Sequence, residues 1–280
     1  MNVRIISDST ADVSRETREK ITVIPLSLFF GEEEYIDTVT ITYREFYEKL
    51  IESDELPRTS QANPESFREV FEDVAKNDET AVLITLSSTF SGTYQSALIA
   101  AEDYEDRIFV VDSKNATIGS GILVELAVKL SEEGLSAKEI YERLLEEREK
   151  ICLMGIVDTL EYLKKGGRIS KTAAFAGEML GIKPVLRIKD GEIIILGKAR
   201  GSKKSNNLLV QEIEKTGGVD FSKPVMLGYS GLDDSILKKY VEDSRFLWEE
   251  HIDELKESCV GSVIGTHLGP GVVIVAFFNK

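Results

Sequence analysis

Four short stretches carry hydroxyl, guanidinium or imidazole groups at spacings that suit anion chemistry. Ser87-Ser88-Thr89-Phe90-Ser91-Gly92 follows the continuous apolar run 81–86 and precedes a helical segment. A buried strand that ends in a hydroxyl-rich turn and starts a helix at Gly92 or Thr93 presents free backbone amides at the positive end of a helix dipole. Ser88 and Ser91 add hydroxyl donors, and the expected ligand is an anion; the same residues would also serve as a plain helix cap. Thr59-Ser60-Gln61 lies in a turn-rich loop before the helix signalled by Asn63-Pro64. There it is placed either to close over the same site or to make ordinary turn contacts. Arg168 follows Gly166 and Gly167, which allow close backbone approach, and offers a cation to an anion or to a surface carboxylate. His267 sits in a glycine-rich run, 265–271, rather than on an apolar helix face, which favours a polar role as much as a packing one.

Common enzyme signatures are missing. Gly191 and Gly197-Lys198 resemble a phosphate loop only superficially, with five intervening residues and Ala199 where Ser or Thr is required. Gly228-Tyr229-Ser230-Gly231-Leu232 lacks the last glycine of a nucleophile elbow. A serine-dependent hydrolase or acyltransferase built on Ser91 and His267 has no identifiable third member. Cys152 and Cys259 lie more than a hundred residues apart, and a four-ligand metal site would need every cysteine and histidine in the chain. Neither a disulfide framework nor a metal is expected.

Charge narrows the partners. A net charge of −15 disfavours nucleic acid and anionic membranes. Residues 164–204 nonetheless hold eleven basic and three acidic residues, a segment that suits an anionic ligand or an acidic partner, or is simply a solvated surface. No apolar run approaches the roughly 20 residues of a membrane-spanning helix. MNVRIISDST leads directly into a strand-like segment, so the expected compartment is the cytoplasm.

The elements that must position these groups alternate. Apolar runs at 3–7, 23–30, 81–86 and 108–111 are separated by helical stretches, two of them opened by the capping boxes Thr42/Glu45 and Ser136/Glu139. Strands separated by helices of this length predict right-handed βαβ units and a mainly parallel sheet. The pattern restarts at 151–157, followed by a hairpin at Asp190-Gly191, a helix from Ser202, a strand at 225–229, one helix over 237–251 and a terminal strand over 272–278. The expected fold is α/β, with a soft boundary near 150 separating an N-terminal lobe, 1–150, from a C-terminal lobe, 151–280.

Taken together, Ser7-Asp-Ser-Thr-Ala-Asp12, Thr59-Ser-Gln61, Ser87-Ser-Thr-Phe-Ser-Gly-Thr-Tyr94, Val111-Asp-Ser113, Gly166-Gly-Arg-Ile-Ser170, Ile182-Lys-Pro184 and Thr266-His-Leu-Gly-Pro-Gly271 resemble the bacterial DegV family, in family order across the whole chain. The resemblance implies a two-lobe DegV-type fold, with a mainly parallel N-terminal sheet, a mixed C-terminal sheet and one long-chain fatty acid, such as palmitate, buried between the lobes. It implies no cofactor and no catalytic residue. The protein would be the binding subunit that presents the carboxylate to a separate ATP-dependent fatty acid kinase, which makes an acyl phosphate. A lipid-responsive sensor or scaffold is the alternative. By the family's pattern the carboxylate falls to Thr59 or Ser60 and to Ser91 beside Gly92, with Arg168 and His267 around the head group. Ala62 and Phe90 depart from the pattern, where proline and leucine are common.

Overall fold

The computed structural model describes residues 2–169 and 181–280; Ser170 and Lys171, part of the motif and of the basic stretch above, lie outside the described residues. Four strands, β1 (Val3–Asp8), β2 (Thr22–Ile24), β6 (Thr80–Thr85) and β7 (Ile108–Asp112), form an all-parallel sheet in the order β2-β1-β6-β7. Ala81, Val82, Leu83 and Ile84 are fully buried, as the unbroken apolar run requires of a strand covered on both faces. Sequence order reverses between β1 and β6. In such sheets ligands collect beyond the carboxyl ends of the strands at that point. Asp8 at the end of β1 accepts a hydrogen bond from the amide of Leu86 just beyond β6, at 2.8 Å.

A second sheet of six strands runs β10-β9-β8-β13-β11-β12. Its members are β8 (Ile151–Ile156), β9 (Ile182–Lys189), β10 (Glu192–Arg200), β11 (Met226–Tyr229), β12 (Lys256–Cys259) and β13 (Val273–Phe278). All neighbours are antiparallel except the parallel pair β11–β12, so the sheet is mixed. The Asp190-Gly191 hairpin joins β9 to β10 as expected. Helix α5 (Thr117–Glu132) lies between the two sheets, touching β1 and β6 on one side and β8, β11 and β13 on the other. Its residues are therefore buried nearly all round, the condition for a helix with apolar residues on every face.

Three expectations are corrected. The apolar run 23–30 is not one strand: β2 ends at Ile24, and β3 (Ser27–Phe30) joins a separate antiparallel sheet, β4-β3-β5, with β4 (Glu33–Ile36) and β5 (Arg58–Ser60). Pro25 lies at the break and has no N–H to continue the ladder. Thr59 and Ser60 thus sit on a strand, not in a loop. The helix expected over 237–251 divides into α9 (Ser235–Asp243) and α10 (Arg245–Trp248). At the break, the Ser244 hydroxyl donates to the Tyr240 carbonyl at 2.6 Å and accepts from the Trp248 indole at 3.0 Å, local bonds that compete with a continuous helix.

Among the described residues no helix is long and apolar enough to cross a membrane.

Candidate ligand-binding site

The site begins on β5. Thr59 pairs opposite Leu28 of β3, whose side chain is fully buried, and this fixes the short strand at the edge of the small sheet. Helix α11 (Ser262–Leu268) packs against β3 and β5 and places His267 so that its Nε2 lies 3.0 Å from Thr59 Oγ1. Nδ1 of the same ring is buried with no hydrogen-bond partner among the described residues and lies against Gly166, where a Cβ would come within 2.2 Å of it. Burial, then the positive charge of Arg168, pushes His267 down to about 4, so the ring is neutral near pH 7. Arg168, exposed at the end of the turn after α7 (Glu161–Lys165), donates to the carbonyls of Gly166 at 2.5 Å and Phe90 at 3.3 Å.

The hydroxyl-rich turn lies across from this pair. Its backbone closes on Ser87, whose carbonyl accepts from the amides of Phe90 and Ser91. Helix α4 (Thr93–Ala101) then starts at Gly92 without a side-chain cap. Ser91 Oγ is 2.9 Å from Thr93 Oγ1. Gly92 leaves room for Gln61: a Cβ there would lie 2.1 Å from Oε1 at the end of that flexible side chain, whose amide group bridges to Ser96 Oγ at 3.0 Å. Ser88 turns away and donates to Asp112 at 2.6 Å. Of the two serines expected to add donors, only Ser91 lines the adjoining cavity.

These polar groups border a cavity of about 370 Å³. Thr59, Ser60, Ser91, Gly92, Arg168 and His267 all line it, together with Gln61. The remaining walls are mainly aliphatic and come from the mixed sheet, among them Leu153, Leu186, Ile193 and Ile274, and from the segments that follow β2 and β6, with Leu26 and Leu86. The volume sits at the lower end of the roughly 300–1,000 Å³ usual for small-molecule sites. Its composition is that of an apolar chamber with one cluster of neutral donors and one exposed cation.

Sequence reading placed the six polar residues but not the aliphatic walls, because Leu153, Leu186 and Ile274 are indistinguishable in sequence from ordinary core strand residues. Gln61 was within reach, since Gly92 at a helix start implies a neighbour that approaches closely. The basic stretch does not form one surface. Lys165 pairs with Glu161 at 2.5 Å, Lys183 pairs with Asp158, and Arg187 is turned against Cys152 Sγ at 3.3 Å. Among the described residues no group of three or more His, Cys, Asp or Glu could hold a metal ion.

Comparison with known proteins agrees with this architecture. The model of the uncharacterised DegV protein family matches residues 2–280. A DegV domain-containing protein of Caldanaerobacter subterraneus subsp. tengcongensis is 36% identical over 288 residues, covering 99% of each chain. Among solved structures, a fatty-acid-binding DegV family protein from Thermus thermophilus superposes with a TM-score of 0.87 at 30% identity, covering 99% of this chain and all of its own. A stearic-acid-binding protein from Eubacterium ventriosum gives 0.84 at 32% identity, over 99% of this chain and 98% of that one. With its parallel and mixed sheets matching theirs and its whole length covered, this chain belongs to the DegV family.

Proposed function

We propose that the protein binds one long-chain fatty acid, with the acyl chain in the aliphatic cavity against the mixed sheet and the carboxylate among Thr59, Ser60, Ser91, Gly92, Arg168 and His267. The observation that carries this reading is the cavity itself, aliphatic along its walls with hydroxyl, amide and guanidinium groups clustered at one place. Relatives at 30% and 32% identity whose reported ligands are fatty acids support it. Each buried methylene contributes about 0.8 kcal/mol, whereas a hydrogen bond to a charged carboxylate contributes about 1.5–3 kcal/mol. The chain therefore sets affinity, and the polar cluster sets orientation. On this reading the lobes are residues 1–150 and 151–280, the compartment is the cytoplasm, and no cofactor takes part.

The protein is a carrier rather than a catalyst. Ser91 Oγ is engaged with Thr93, His267 meets Thr59, and among the described residues no carboxylate meets His267 Nδ1 to orient it, so these residues do not assemble a serine-based triad. The proposed partner is the catalytic subunit of an ATP-dependent fatty acid kinase, with Arg168 exposed where the head group would be handed over. Arg168→Ala should then lower kinase-dependent phosphorylation more than lipid binding; equal losses would place Arg168 in binding alone.

Denaturing extraction of freshly purified protein, followed by mass spectrometry of the released small molecules, tests the ligand. A stoichiometric fatty acid is expected. An empty protein that also fails to take up palmitate or oleate would refute the proposal.

A further inference from the structure

The turn Ser7-Asp8-Ser9-Thr10-Ala11-Asp12 is fully buried and contributes nothing to the cavity wall, yet its polar groups hold the segments that do. Ser9 Oγ accepts from the amide of Leu26 at 3.1 Å, and Asp8 accepts from that of Leu86. Asp12 reaches furthest. One carboxylate oxygen accepts from Thr117 Oγ1 at the first residue of α5, and the other accepts from the Gly261 amide at 3.0 Å, just before α11. Thr117 lines the cavity with φ +48°, a conformation that is costly for a β-branched residue and persists only where its surroundings enforce it. Helix α11 carries His267 and three further cavity residues, Val263, Ile264 and Leu268.

We infer that Asp12 is a positioning residue of the ligand site, holding the starts of α5 and α11 so that His267 meets Thr59 at the head group. The inference rests on the fatty-acid reading for its ligand and on the hydrogen bonds alone for its geometry. The charged and titratable groups that face Asp12 are Arg18 from α1 (Arg15–Arg18), Asp37 after β4, Tyr43 and Tyr47 from α2 (Tyr43–Glu52), and Cys259 at the end of β12; Asp8 in turn faces Asp37. Two of these buried carboxylates, Asp12 and Asp37, share the cation Arg18. Burial, reinforced by Asp37, pushes Asp12 up to about 7, against the lowering effect of Thr117 and Gly261. Above that pH the carboxylate accepts both bonds with its full charge. Below it, the protonated acid is close to asparagine in charge and shape.

The test compares palmitate affinity of wild type and Asp12→Asn from pH 5 to pH 8, with the ring resonances of His267 followed by NMR in lipid-free protein. Affinities should be nearly equal at pH 5 and differ about tenfold at pH 8, the loss of one charge-assisted hydrogen bond. The His267 ring of the wild type alone should show a step near pH 7. A ratio that stays flat across this range would overturn the inference. If the wild type binds no palmitate at any pH, the ligand reading fails, and the His267 step decides alone: its presence sustains the role of Asp12 and its absence refutes it. Should Asp12→Asn not fold, Thr117→Val removes the donor and keeps the carboxylate; a His267 ring unmoved in that variant at pH 8 would count against the inference.

Discussion

His267 holds its place through one hydrogen bond and through burial, and both leave signatures that can be measured. Its folded value near 4 lies below the ordinary histidine value, so it contributes stability that is present above about pH 6.5 and is lost as pH falls through 4. An NMR titration of the ring should find it neutral at pH 6, with a midpoint near 4. A midpoint above 6 would mean that the ring is solvated and not packed against Gly166. Thr59→Val and Ser91→Ala each remove one hydroxyl from the polar cluster, and on the proposed reading each should weaken palmitate binding by about three- to tenfold without changing the fold. The residue types were legible in sequence because hydroxyls at a strand-to-helix turn and a histidine among glycines are unusual. Ser88 was misread because its partner Asp112 is contributed by the neighbouring strand β7, and local spacing cannot reveal that contact.

Elements explain why those residues converge. The β1–β6 switch point, the small sheet that carries Thr59, and α11 from the far end of the chain meet around one cavity. The parallel sheet, the capping-box helices and the 190–191 hairpin were readable because each depends on neighbours in sequence. The small sheet was not, since β5 is three residues long and exists through pairing with β3. Likewise, Ser244 breaks a helix through side-chain bonds that a hydrophobic pattern does not record. Two substitutions test the element account. Gly92→Ala should displace only the flexible end of Gln61, costing under about 1 kcal/mol of stability, while measurably weakening ligand binding. Ile193→Trp fills the cavity from β10 and should abolish uptake of long chains before short ones; a chain-length profile identical to that of the wild type would exclude β10 from the acyl path.

At the scale of the whole molecule, buried acids set the response to pH. Burial pushes Asp37 up to about 6, against the lowering effect of the Ser9 and Ser262 hydroxyls beside it. A carboxyl raised in this way stabilises the fold fully below about pH 4, and that contribution is lost as pH rises through 6, an effect on the order of 3 kcal/mol. Asp37→Asn should therefore raise the thermal midpoint at pH 8 and leave it nearly unchanged below about pH 4, where the carboxyl is protonated in both folded and unfolded chains; equal shifts at both would show that Asp37 is solvated. The exposed pair Lys203 and Lys204 at the start of α8 (Ser202–Glu214) belongs to the same scale. Reversing their charge should weaken docking of the proposed kinase while lipid content stays constant, and unaltered docking would assign them to solvent.

The central claim is that one aliphatic cavity and one polar cluster together hold a fatty acid. Calorimetric titration of delipidated protein with palmitate, beside hexadecanol as the head-group control, tests it most directly. The account predicts saturable one-to-one binding of palmitate at micromolar concentration or tighter, with hexadecanol bound measurably more weakly. Equal affinity for the two would contradict the head-group assignment, and the absence of saturable binding by either would contradict the account as a whole.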